Sequence, residues 1–92
     1  MLRRFIERHP DAAAAVKSWY RTIKRGSFAT PHDVRAAFPQ ASFLGGGITV
    51  FNIGSHRIVT HIVYEWDTVY LRAIMTHAEY DREKWKYQRR KE

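Results

Sequence analysis

The sequence predicts a small α+β domain, with a helical first half packed on one face of an antiparallel sheet of about three strands. Three observations predict it. Apolar residues before position 40 recur at helical spacing. Residues 48–76 instead form runs rich in β-branched and aromatic side chains. Glycine, proline and aspartate fall between the runs. Nothing repeats and no stretch reads as a linker, so residues 1–92 are expected to form one domain.

The elements follow in order. Leu2 to Arg8 reads as a short helical segment, interrupted by His9-Pro10-Asp11. Asp11 is expected to cap the next helix, where Ala12, Val16, Trp19, Tyr20 and Ile23 recur at helical spacing and Gly26 ends the run. A third helix begins at TPHDVRAAF: Thr30 caps, Pro31 takes the first helical position, Asp33 closes a capping box, and Pro39 stops it. The triple glycine 45–47 lacks the Gly-Lys-Ser/Thr ending of a phosphate loop and reads as a turn. ITVFNIG, HRIVTHIVY and TVYLRAIM then read as a meander, separated by Gly54-Ser55 and by Glu65-Trp66-Asp67. Thr76 followed by Glu79 is a second capping box, opening a C-terminal helix expected to reach Trp85.

Charge narrows the function. The chain is net +7 with a pI near 10.1, which points to a polyanionic partner. Seven of the 16 basic residues lie in the first 25 positions and six more between Arg82 and Lys91. Only Arg35, Arg57 and Arg72 lie between, and two of those sit inside strand-like runs. The bland reading of the ends is a solvated basic surface. No run approaches the roughly 20 apolar residues of a membrane span. The N-terminus is too charged for a signal peptide. The absence of cysteine excludes disulfides and thiolate metal sites and fits a reducing, cytoplasmic compartment.

Strand alternation assigns faces. Val69, Leu71, Ala73 and Met75 are expected against the helices, as are Ile58, Thr60, Ile62 and Tyr64. Arg57, His61 and Arg72 then share the open face, because an unpaired arginine in the core is costly. His77 and Tyr80 arrive at its end. Arginine forks bind phosphate, while histidine and tyrosine move protons. Together they could hold an RNA phosphate while a 2′-hydroxyl attacks it, with neither metal nor cofactor. The competing reading is a solvated sheet face carrying polar pairs.

HPDAAAAVKSWYRTIK, DVRAAFPQASF, VFNIG and VYLRAIMTHAEYD resemble the HigB toxins of bacterial toxin–antitoxin modules, within the RelE-like superfamily. The resemblance runs from about Phe5 to Trp85, and FNIG with THAEYD at this separation is fairly specific to that family. It implies a RelE-like fold, a twisted antiparallel sheet with helices on one face. It implies an mRNA endonuclease acting on translated messages at the ribosome and arresting growth. It also implies a HigA-type helix-turn-helix antitoxin, with operator DNA bound by the complex.

Carried over by residue, the resemblance places Arg57 at the strand arginine and His77 and Tyr80 in the proton-transferring set after the last strand, with Arg72 in the same stretch. It assigns Arg57 and Arg72 to phosphate binding and transition-state charge, and His77 and Tyr80 to proton transfer, leaving acid and base open. Arg21, Lys24, Arg25, Arg82, Lys84 and Lys86 are expected on ribosomal RNA phosphates. Two departures stand out. No strand precedes the first helix, and GSHRI is about two residues shorter than the corresponding hairpin of relatives. The alternative reading is a non-catalytic RNA- or ribosome-binding protein, or a subunit whose charge serves an acidic protein.

Overall fold

In a computed structural model, residues 2–83 are described. The first helix, α1, spans Leu2–Arg8 and buries Phe5. α2 spans Ala13–Arg25 and sends Val16 and Trp19 into the core, while Lys17, Tyr20, Arg21, Lys24 and Arg25 stay exposed. Its start differs from the expected Asp11 cap. Ala12 is the cap residue, already near helical geometry and without a side-chain bond. The carbonyls of His9 and Pro10 accept the amides of Ala12 and Ala13 at 3.0 and 3.3 Å, so this turn brings its own backbone partners. α3 spans Pro31–Ala37 and has the expected box: Thr30 Oγ1 accepts the Asp33 amide at 3.3 Å, and Asp33 Oδ2 accepts the Thr30 amide at 3.2 Å.

The sheet has four strands rather than three. β1 (Ser42–Gly45), β2 (Ile48–Ile53), β3 (His56–Val63) and β4 (Thr68–Thr76) pair antiparallel in chain order. The extra edge strand exists because Gly45, Gly46 and Gly47 all adopt positive φ, which reverses the chain tightly and lays residues 42–45 along β2. No strand precedes α1 among the described residues. Gly54-Ser55 closes β2 on β3 as a two-residue loop, and a 3-10 turn at Tyr64–Trp66 leads to β4 through Asp67 at φ 48°. The Asp67 carboxylate accepts the Phe28 amide at 3.4 Å, tying this corner to the segment after α2.

Phe51, Ile58 and Ile62 face Phe5, Val16, Trp19, Phe28 and Val34 in one core cluster. Trp19 and Phe38 both meet the Phe51 ring edge-on, with centroids 5.5 and 4.9 Å away. Thr49 and Thr60 face each other across β2 and β3, and Thr60 Oγ1 donates to Thr49 O at 2.9 Å, satisfying a buried hydroxyl. On the other face Val50 and Val59, also cross-strand partners, are 1% and 0% exposed, so that face is not bare as alternation suggested.

The larger difference lies in β4. Its register against β3 shifts between Val59 and Thr60: Val59 pairs with Ala73, Thr60 with Leu71, and Arg72 is the extra residue. Such a bulge reverses the alternation beyond it. Val69 and Leu71 pack against the core as expected, but so does Ile74, while Ala73 and Met75 pair with Val59 and Arg57 on the opposite face.

Candidate active site

Residues 77–83 form α4, started by the second capping box. The Thr76 amide donates to Glu79 Oε1 at 2.8 Å, and Thr76 Oγ1 accepts the Glu79 amide at 3.1 Å. These bonds hold the Glu79 carboxyl below its usual pKa, because they favour its charged form. A further bond sets where α4 starts. The His77 amide donates to the carbonyl of Ser55, in the β2–β3 turn, at 3.0 Å. The β2–β3 hairpin is thus fastened to the first residue of the helix that follows β4.

This fastening brings His77 to Arg57, the second residue of β3. Arg57 Nη2 donates to His77 Nδ1, and Arg57 Nη1 donates to the carbonyl of His56 at 3.1 Å. Four residues on in α4, Asp81 Oδ2 lies 3.1 Å from His77 Nε2. An arginine can only donate, so Nδ1 must carry the lone pair and Nε2 the proton, which it gives to Asp81. The ring is therefore held as a single tautomer between a cation and an anion. Tyr80 completes the corner. Burial pushes its phenol above the ordinary value, the nearby Arg57 charge opposes that, and Asp81 adds to it. Tyr80 therefore carries its proton at neutral pH.

Three of the four expected catalytic residues, Arg57, His77 and Tyr80, thus meet. Arg72 does not join them. The Arg57 partner across β4 is Met75, and Arg72 lies three residues away on the other side of the register shift, beside α1. His61, four residues along β3 and about 13 Å from Arg57 at strand rise, sits against the Gly47 turn and the Tyr70 ring. Asp81 was not expected from the sequence, yet its i,i+4 spacing from His77 carries the signal. Of the expected RNA contacts, Arg21, Lys24 and Arg25 are exposed along α2, Lys24 lying 5.6 Å over the Tyr20 ring, and Arg82 is exposed on α4. Lys84 and Lys86, and the expected helix end at Trp85, lie outside the described residues. No described helix is long and apolar enough to cross a membrane.

Comparison with known proteins places this corner in context. Residues 12–83 match the HigB toxin family, described as the RelE-like toxic component of a toxin-antitoxin system. The mRNA interferase toxin HigB of Escherichia coli K12 is 32% identical over 85 residues, covering 87% of this chain and 81% of the relative. The mRNA interferase HigB of Shigella flexneri aligns with the same identity and coverage. That of Escherichia coli O6:H1 is 32% identical over 79 residues, covering 82% of this chain and 77% of the relative.

Proposed function

Because the chain belongs to the HigB family of RelE-like toxins, we propose that it arrests growth as an mRNA endonuclease whose reacting groups are Arg57, His77 and Tyr80. The observation that carries this reading is the corner in which Arg57 and Asp81 hold one tautomer of His77 beside a protonated Tyr80. Cleavage by transesterification needs a base for the 2′-hydroxyl, an acid for the departing 5′-oxygen, and positive charge on the phosphate between them.

His77 Nδ1 is the base. An incoming phosphodiester draws the Arg57 fork onto its oxygens, a stronger bidentate partner than an imidazole nitrogen. That frees the lone pair beside the 2′-hydroxyl. The 2′-oxygen–phosphorus bond forms as the proton passes to Nδ1, and Asp81 stabilises the resulting imidazolium. The phosphorus–5′-oxygen bond breaks as Tyr80 gives its proton to the leaving oxygen. The Arg57 guanidinium offsets the charge on the pentacoordinate phosphate. Asp81 is a positioning residue, acting through His77.

Family membership implies an antitoxin partner and a message as target. In our reading the antitoxin is of the HigA type, with a helix-turn-helix domain that takes the complex to operator DNA. Arg21, Lys24, Arg25 and Arg82 face ribosomal RNA, and cleavage occurs on the ribosome in the cytoplasm. The test is induction in bacteria with mapping of transcript 5′ ends. New ends should appear with the wild-type chain and be lost with His77→Gln. A non-catalytic binder would arrest growth with both chains and create no new ends.

A further inference from the structure

The β4 bulge leaves Arg72 without a cross-strand partner and turns it to the edge of the sheet beside α1. There it lines a groove of about 600 Å³ together with Arg4, Phe5, Arg8, His9, Ala73 and Ile74. Arg4 and Arg8, four apart on α1, lie on one side of that helix, while Arg3 and Glu7 line a different groove on its other side. Among the described residues none of the three arginine side chains has an ion pair or a hydrogen bond, and no acidic residue lines the groove. Three unpaired guanidinium groups around one groove repel one another, a cost that a bound anion relieves. The wall is aromatic. The half-buried His9 ring is stacked on Phe5 with centroids 4.5 Å apart, and His56 meets both rings edge-on.

We propose that this groove is a second RNA subsite, in which Arg4, Arg8 and Arg72 hold the backbone phosphates of a single strand and the His9 ring stacks on one of its bases. The chemistry matches that ligand. Arginine forks fit phosphate oxygens, and an aromatic face beside them accepts any base. The subsite extends the substrate reading of the reactive corner and rests on it. The groove lies along β4, the last strand of the sheet, whose Ala73 and Ile74 line it. Arg72 then contributes to phosphate binding away from the reacting bond.

The test is binding of a fluorescein-labelled, eight-nucleotide 2′-O-methyl RNA, which has no free 2′-hydroxyl and is not cut. Its anisotropy is read with the full chain between 50 and 200 mM KCl. Each lost phosphate contact lowers the single-strand salt slope by about 0.7. Arg4→Gln/Arg8→Gln should lower it by about 1.4, so wild type loses roughly sevenfold more affinity than the variant over that range. Arg72→Gln should lower it by about 0.7, and Arg3→Gln, which removes the same charge from the other side of α1, should leave it unchanged. Equal effects of Arg3→Gln and Arg4→Gln would show a diffuse charge effect and overturn the subsite. So would displacement of the RNA by an equal concentration of octa-aspartate, the mark of a site for acidic peptide. The readout involves no cleavage, so loss of the nuclease reading would leave its outcome intact, and the reverse holds too.

Discussion

His77 Nδ1 accepts from Arg57 of β3, while Nε2 of the same ring meets Asp81 one helical turn ahead at 3.1 Å. One bond spans 20 positions of sequence and the other spans four, and together they fix the tautomer of the only histidine in α4.

If Asp81 acts through that tautomer, the acceptor matters more than the charge alone. Asp81→Ala should lower cleavage by one to two orders of magnitude, within the range of about 10²–10⁴ attributed to a whole general base. Asp81→Asn, whose carbonyl oxygen still accepts from Nε2, should recover part of that loss. Single-turnover cleavage of a ribosome-bound message measures both. Identical rates for the two variants would remove Asp81 from the mechanism.

Tyr80→Phe and His77→Gln should each suppress cleavage by about 10²–10⁴ while leaving the melting temperature within a few degrees. Neither side chain is part of the core cluster. Folded variants, expressed at equal levels, that still cut message near the wild-type rate would refute the catalytic assignment.

The cap at the start of α4 is separable from the chemistry beside it. Thr76→Ala should cost about 1 kcal/mol, a fall of roughly 4–8 °C in Tm for a domain of this size, with much of the toxicity retained. Glu79 adds a pH signature. Its folded pKa lies below the unfolded 4.5, so in the acid range the unfolded chain binds more protons. Its contribution is therefore complete above 4.5 and is lost as pH falls through the depressed folded value. Urea midpoints of wild type and Glu79→Gln should differ at pH 6 and converge in strong acid. A constant gap would contradict the box.

Two glycines at positive φ should respond differently to alanine. At Gly54, φ +58°, an added Cβ meets nothing within 4 Å, so the cost is the left-handed backbone alone, about 1–2 kcal/mol. At Gly47, φ +83°, it would lie 2.8 Å from both His61 Cδ2 and the Ile62 carbonyl, and the Ile62 amide already donates to Gly47 O at 2.8 Å. Gly47→Ala should therefore lose distinctly more stability in chemical denaturation. Equal losses would mean that the β1–β2 turn yields freely.

By itself the sequence determined what local chemistry decides. Both capping boxes, the β2, β3 and β4 runs, the glycine turns and the arrival of His77 at the end of β4 depend on residues within a few positions of each other. Asp81 belonged to that class too, four residues from His77. Tertiary structure alone decided the rest. The bulge at Arg72 exists only because β4 pairs with β3, and it reversed the faces of Ala73, Ile74 and Met75 against the alternation read along the strand. It also carried Arg72 away from Arg57 toward α1, nearly 70 positions earlier in the chain. The Asp11 cap did not form because the turn made its own backbone bonds, the carbonyls of His9 and Pro10 accepting the amides of Ala12 and Ala13. The meeting of Arg57 and His77 required the Ser55 carbonyl to receive the His77 amide, a long-range bond that no periodicity encodes.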